Sequence, residues 1–186
     1  MTAKPTLLLH SCCAPCSSSV LERLMKDFDV TVLYYNPNIH PKTEYDKRLA
    51  EQEKFLNAIN GKLIVGEYNP DEYFSAIKGK ENLPEKSPRC YECYKFRLEK
   101  TAKIAKEKGF DYFTTTLSVS PHKNADWINQ IGKTLETPTC KFLEANFKKQ
   151  NGYLRSLELS KQYGFYRQGY CGCQMSMQAV VKTEKM

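Results

Sequence analysis

The sequence has no apolar stretch that approaches the roughly 18–20 residues needed to cross a bilayer. Its first apolar run is the three leucines at 7–9, and nothing near them resembles a secretion signal. These absences predict a cytoplasmic protein with no membrane partner. Internal repeats, low-complexity segments and clear linkers are also lacking. We therefore expect residues 1–186 to form a single domain.

The chain has too few cysteines for a disulfide scaffold, eight among 186 residues. In a cytoplasmic protein, thiols are more often metal-binding or catalytic than bridged. Most of them fall into three tight groups, Cys12-Cys13-x-x-Cys16, Cys90-x-x-Cys93 and Cys171-x-Cys173. This clustering is the strongest functional signal in the sequence, and it predicts a metal or redox centre.

Acidic residues are outnumbered, which leaves a formal net charge of +7. An excess of positive charge suggests an anionic partner such as a nucleic acid. The signal is modest, because the lysines are spread along the chain and a solvated surface explains them equally well.

Short apolar runs alternate with longer helical patterns over the first two thirds of the chain. The expected strands are 6–10, 30–36, 62–68 and 111–117, and the expected helices begin near Pro15 and cover 43–59, 71–77, 91–108 and 124–135. This alternation predicts an α/β fold, a Rossmann-like (HUP or PP-loop-like) parallel sheet with helices on both faces. From about residue 138 the pattern loosens, and we expect 138–186 to be a helical extension that closes the metal site.

Polar residues follow three of the expected strands. In parallel sheets, ligands bind at the carboxyl ends of the strands, so these residues should share one edge. They are Cys12 and Cys13 after the first strand, Asn36 and His40 after the second, and Ser118, Ser120 and His122 after the fourth. The candidate site is expected at this edge.

Cys90-x-x-Cys93 has the spacing that lets two sulfurs face one ion from a turn. Together with Cys12 and Cys13 it offers a four-cysteine metal site. Zinc and a [4Fe–4S] cluster both accept four thiolates, so the ligand count does not decide between them. Adjacent cysteines are awkward around one small tetrahedral ion, which favours the larger cluster and leaves zinc open.

The remaining cysteines are expected to have other roles. Cys171-Gly-Cys173 could close a small strained disulfide, which would be redox-active, or it could hold a second metal. Cys16, one turn into its helix, is expected to be a core thiol. Cys140 stands alone and is expected to be a core or surface thiol.

Five segments together resemble one known family. They are "HSCCAPCSS" (10–18), "YYNPNIHPKTEYDKR" (34–48), "RCYECYKFRLEKTA" (89–102), "FTTTLSVSPHKN" (113–124) and "GYLRSLELSKQYGFYRQGYCGC" (152–173). The chain is thereby identified as resembling the cobalamin-independent, iron–sulfur epoxyqueuosine reductases of the QueH type. The resemblance implies reductive deoxygenation of epoxyqueuosine, at the wobble position of tRNA, to queuosine. This two-electron reaction is the last step of queuosine biosynthesis.

The resemblance also implies cofactors and residue roles. It places a [4Fe–4S] cluster on Cys12, Cys13, Cys90 and Cys93, and makes Cys171 and Cys173 a catalytic redox pair or the ligands of an additional iron ion. Cys13 and Cys171 could exchange these two roles. Candidate substrate-binding residues are Asn36, His40, Tyr45, Ser120, His122, Lys123 and Arg167. Asn146 stands where an aspartate is expected, so any contact that it makes there is neutral.

The implied partners are tRNA carrying epoxyqueuosine and an electron donor that the sequence does not identify, and we expect a monomer. Three other classes of protein remain as alternatives. The first is a non-catalytic zinc-binding RNA-interaction module. The second is an iron–sulfur enzyme of tRNA thiolation or desulfurisation, which would not need the Cys171–Cys173 pair. The third is an ATP pyrophosphatase, disfavoured because "SCCAPCSS" lacks the glycine pair and the acid of an "SGGxDS" loop.

Overall fold

Five parallel strands form one sheet in the computed structural model, which describes residues 3–183 and the side chains of residues 3–179. The strands are β1 (Thr6–Ser11), β2 (Asp29–Tyr34), β3 (Lys62–Val65), β4 (Tyr112–Thr115) and β5 (Lys141–Phe142). Their order across the sheet is β3-β2-β1-β4-β5, and every adjacent pair is parallel. The predicted Rossmann-like parallel sheet is confirmed.

Helices cover both faces of this sheet. They are α1 (Ala14–Leu24), α2 (Lys42–Ala58), α3 (Pro70–Ala76), α4 (Pro88–Glu107), α5 (Ala125–Thr134), α6 (Gly152–Tyr163) and α7 (Gln174–Thr183). Successive side chains of a strand point to opposite faces. Leu8 therefore packs with α4 and α5, whereas Leu7 and Leu9 pack with α1 and α2. All three leucines are fully buried, as expected for a central strand covered on both sides.

The structure differs from the sequence prediction at the ends of several strands and at one additional strand. The fourth strand ends at Thr115, and Thr116–Val119 form a 3₁₀ turn that begins with the Thr115 hydroxyl accepting a hydrogen bond from the Leu117 N–H. Strand β5 lies in a region that was expected to be helical. It was not predicted, because a strand of two residues is too short to give a periodic pattern. The second and third strands also end earlier than expected, at Tyr34 and Val65, whereas α7 lies in the C-terminal region that was expected to be helical. That residues 138–186 close a metal site stays a prediction.

The strand order reverses between β1 and β4, which lie side by side at the centre of the sheet. The chain leaves β1 toward β2 on one side and leaves β4 toward β5 on the other. This divergence opens a crevice at the carboxyl ends of β1 and β4, the usual ligand position in such sheets. None of the described helices is long and apolar enough to span a membrane.

Helix α6 begins very close to the preceding loop. A Cβ atom added at Gly152 would lie 1.8 Å from the Phe147 carbonyl oxygen and 3.0 Å from Nη2 of Arg23 in α1. The Arg23 guanidinium also donates to the Lys149 and Gln150 carbonyls, which fixes this loop on α1. A residue without a side chain is therefore required where α6 starts.

We predict that Gly152→Ala lowers the free energy of unfolding by about 2 kcal/mol, because the backbone must shift to admit the methyl group. Urea denaturation measures the change. Gly169→Ala is the matched control, since an added Cβ at Gly169 meets no described atom within 4 Å. Equal urea midpoints of unfolding for the two variants would contradict the close approach of Gly152 to the Phe147 carbonyl.

Candidate metal centre

The turn between β1 and α1 brings three sulfurs together. The Sγ atoms of Cys12, Cys13 and Cys16 all lie within 4.8 Å of one another, and those of Cys12 and Cys13 are 3.7 Å apart. Cys13 is extended at the N-cap, and Pro15 lies in the first turn of α1, so Cys16 comes back beside the first two thiols. Cys16, expected to be a core thiol, is half-buried and belongs to this group. The C-C-x-x-C spacing is the sequence feature that indicates this third sulfur of the group.

Within this group the three thiols shift one another's pKa values in opposite directions. Hydrogen bonds from the Cys13 and Cys16 thiols hold the pKa of Cys12 well below its usual value. The same hydrogen bonds raise the pKa of Cys13 and of Cys16, because deprotonating either would place a second charge beside the first. The Gln168 side-chain amide also donates to the Cys13 sulfur over 3.2 Å. Cys12 is therefore the most acidic thiol of the three and the first to deprotonate.

Four further thiols form a second group. Cys90 and Cys93 lie in the first two turns of α4, and Cys93 packs with Cys173 and Tyr73 in one buried cluster. Burial raises the pKa of Cys93 to about 12, and the nearby charges of Cys171, Cys173 and Cys90 add to the shift. Since Cys90 and Cys171 also line one cavity, the two predicted pairs lie near each other.

One cavity of about 450 Å³ joins the two groups of thiols. Its lining cysteines are Cys12, Cys16, Cys90 and Cys171. Four of the predicted substrate-binding residues also line it, namely Ser120, His122, Lys123 and Arg167. The structure therefore brings together residues from the ends of β1 and β4, from α4 and from the segment before α7. Gln168, Tyr94 and Tyr153 also line the cavity and had no distinctive pattern in the sequence.

The segment that carries Cys171 is fixed to α2 by a buried arginine. Arg48 donates from Nη1 to the Cys171 carbonyl over 3.2 Å and from Nη2 to the Tyr170 carbonyl over 3.4 Å. Its Nε donates to Glu44 over 2.7 Å, which holds the guanidinium in place. Gly172 has φ +118°, and a Cβ there would approach Arg48 Nη1 to 2.9 Å. The glycine between the two cysteines therefore permits this contact.

Three predicted substrate-binding residues lie away from the lining of the cavity. Asn36 is fully buried and donates to the Ser11 carbonyl over 2.8 Å. Tyr45 is buried among aromatic rings, and burial raises its pKa to about 12. His40 is half-buried, and its backbone N–H donates to the Gly172 carbonyl over 2.7 Å. In the structure these residues support the loops around the cavity, and their role in substrate binding stays a prediction.

His10, which the sequence analysis missed, ties the end of β1 to both neighbouring strands. Burial, followed by the positive charge of Arg97, lowers its pKa to about 4, so the ring is neutral at pH 7. The tautomer protonated on Nε2 donates to the Tyr35 carbonyl over 3.0 Å. Its Nδ1 accepts from the Thr115 hydroxyl over 2.9 Å. These bonds position the turn that carries Cys12.

The fold and this edge define an α/β protein of the Rossmann-like, PP-loop-like class with a cluster of thiols at the topological switch point. The chain belongs to the family described as epoxyqueuosine reductase QueH, whose model matches residues 7–179. The epoxyqueuosine reductase QueH of Streptococcus pyogenes serotype M1 is 44% identical over 179 residues, covering 92% of this chain and 70% of the relative. That of Thermotoga maritima is 41% identical over 176 residues, covering 92% and 90%.

A solved structure shares the fold at low sequence identity. The U34-tRNA thiolase NcsA from Methanococcus maripaludis, with its [4Fe-4S] cluster, superposes with a TM-score of 0.54 and 13% identity. The match covers 98% of this chain and 66% of the thiolase chain. At this identity the similarity establishes the architecture alone.

We predict that Cys12→Ala weakens metal binding by roughly 100-fold, because it removes a thiolate donor from the centre of the thiol group. Metal content after dialysis against a chelator measures this loss. Cys140→Ala is the matched control, since Cys140 is a buried thiol outside both groups and outside the cavity lining. Equal metal retention by the two variants would contradict the assignment of the site.

Proposed function

We propose that this protein reduces epoxyqueuosine in tRNA to queuosine. The observation that carries the proposal is the cavity at the carboxyl ends of β1 and β4, which is lined by four cysteines in a chain of the epoxyqueuosine reductase QueH family. In the reaction both C–O bonds of the epoxide break, and two electrons with two protons release the oxygen as water and leave an alkene. Such a reaction needs an electron source close to a substrate pocket, and the clustered thiols are suited to hold one.

The donor set fits an iron–sulfur cluster. Soft thiolates select iron–sulfur clusters, zinc or copper, and the group formed by Cys12, Cys13 and Cys16 contains no carboxylate. We propose a [4Fe–4S] cluster on Cys12, Cys13, Cys90 and Cys93, and an additional iron ion or a redox-active disulfide at Cys171 and Cys173. When bound, the cluster would supply electrons one at a time. Exchange of Cys13 and Cys171 between these roles is open to the test below.

The residues around the cavity would bind and orient the modified base. A volume of about 450 Å³ lies within the range of small-molecule sites. Ser120 and His122 can hydrogen-bond to the polar substituents of the base, and the Lys123 ammonium can donate a hydrogen bond to the departing oxygen. Exposed Arg167, held by its Nη1 bond of 3.0 Å to Ser160, can contact phosphate or stack on a base of the anticodon loop.

Transfer RNA is the proposed macromolecular partner. The net charge of +7 suits a polyanion, and RNA loops are read by splaying single bases into pockets. We also propose that the protein acts in the cytoplasm as a monomer and takes its electrons from a separate donor.

A non-catalytic zinc-binding module is the second candidate, and one distance favours it. Four thiolates around a zinc ion at 2.3 Å have sulfurs about 3.8 Å apart, close to the 3.7 Å between Cys12 and Cys13. The sequence analysis considered adjacent cysteines awkward for such an ion, but the extended Cys13 backbone brings the two sulfurs together. Zinc without iron or sulfide in anaerobically prepared protein would support this candidate.

We predict that Cys171→Ala and Cys173→Ala abolish turnover while most of the cluster's visible absorbance remains, because the cluster keeps its four proposed ligands. The assay uses tRNA carrying epoxyqueuosine with a chemical reductant, and nucleoside mass spectrometry detects a product lighter by one oxygen atom. The Cys140→Ala control should turn over like the parent protein. Loss of the whole cluster on either change would place that sulfur among its ligands, and full turnover by both variants would remove the pair from the reaction.

A further inference from the structure

A fully buried arginine, Arg97 in α4, has no carboxylate partner within residues 3–179. Its side chain is 1% exposed, and its Nε donates to the Cys93 carbonyl over 3.2 Å. Its Nη2 is buried without a hydrogen-bond partner among the described residues. Burial opposes the charge of Arg97, and negative charge on Cys93, Cys171 or Cys12 would favour it, so that the pKa of Arg97 is raised when these sulfurs are ionised.

Two more cations lie close to sulfur atoms of the site. Arg89 is 2% exposed, and its Nη1 donates to the Cys173 sulfur over 3.5 Å, while its Nε is buried without a partner in the described chain. Lys123 lines the cavity, and the charges of Cys171 and Cys12 raise its pKa above the usual value although burial opposes the shift. Neither side chain forms an ion pair with a carboxylate of residues 3–179. Positive charge is therefore concentrated around the thiols.

Burying an unpaired guanidinium is energetically unfavourable, so buried charges in proteins are normally paired. Here the groups available to balance Arg97 are sulfur atoms. Neutral thiols would leave its charge uncompensated, whereas thiolates or a thiolate-bound cluster would balance it. The arrangement therefore fits a site whose working state is anionic.

We propose that Arg97 is a positioning residue that acts through the thiolates of the bound cluster and stabilises the cluster's reduced form. The inference rests on the proposed function, because it requires the iron–sulfur cluster. Reduction adds one electron, supplied in the test by dithionite, and no bond of Arg97 forms or breaks. A fixed positive charge stabilises the more negative oxidation state more strongly, so its removal should make the cluster harder to reduce.

The test is an anaerobic redox titration of the cluster-loaded protein, without tRNA, followed by visible absorbance and electron paramagnetic resonance. Arg97→Met removes the charge and keeps a side chain of similar length. Arg97→Lys retains the charge. Lys103→Met is the matched control, because it removes one positive charge from the same helix at a side chain that is 68% exposed.

We expect Arg97→Met to lower the ratio of reduced to oxidised cluster at a fixed potential by about tenfold, a shift of ~59 mV for a one-electron couple. Arg97→Lys should stay close to the parent protein, and Lys103→Met should match it. A midpoint potential for Arg97→Met equal to that of Lys103→Met would overturn the inference. If Arg97→Met does not fold, Lys123→Met must show a smaller shift in the same direction, and its absence would overturn the inference equally.

Different results would disprove the proposed function and the proposed role of Arg97. If the parent protein contains no iron and no sulfide after anaerobic preparation, the proposed function fails. If the cluster is present and reduces normally in every variant, the proposed function stands and the role of Arg97 is wrong.

Discussion

The reversal of strand order between β1 and β4 is the constraint on which the site depends. Because the chain diverges there, the turn that carries Cys12, Cys13 and Cys16 and the turn that carries Ser120 to Lys123 face one crevice. His10 links the end of β1 to Thr115 in β4 and to the carbonyl of Tyr35, the residue that follows β2. The other thiols of the site come from α4 and from residues 171–173, which are not part of the sheet.

Those later thiols are held by contacts between distant parts of the chain. Arg48 in α2 binds the backbone of Cys171, more than 120 residues away, and Tyr166 in the same segment donates to Glu44 in α2 over 3.1 Å. The buried cations Arg97 and Arg89 face the sulfurs from α4. The centre is thus a pocket in which buried cations lie beside clustered sulfur atoms.

The sequence predicted the parts of this architecture that depend on local patterns. The first four strands, the helices between them and the clustering of the cysteines all have periodic or spacing signals. Strand β5 was missed because two residues carry no period, and its place beside β4 comes from long-range pairing. Cys16 was assigned to the core because its helical position was considered without the extended Cys13 that precedes it. Asn36 follows a strand end and Tyr45 lies in α2, and the burial of both side chains depends on long-range packing that spacing alone does not reveal.

The central claim is that the clustered thiols hold an iron–sulfur cluster. The most direct measurement is a count of iron, acid-labile sulfide and zinc in protein purified without oxygen, together with its visible spectrum. The account predicts brown protein with about four sulfides per chain and at least as many iron atoms, any excess iron marking a second metal position. Colourless protein that contains zinc alone would contradict it, because the electron source for the proposed reduction would be missing.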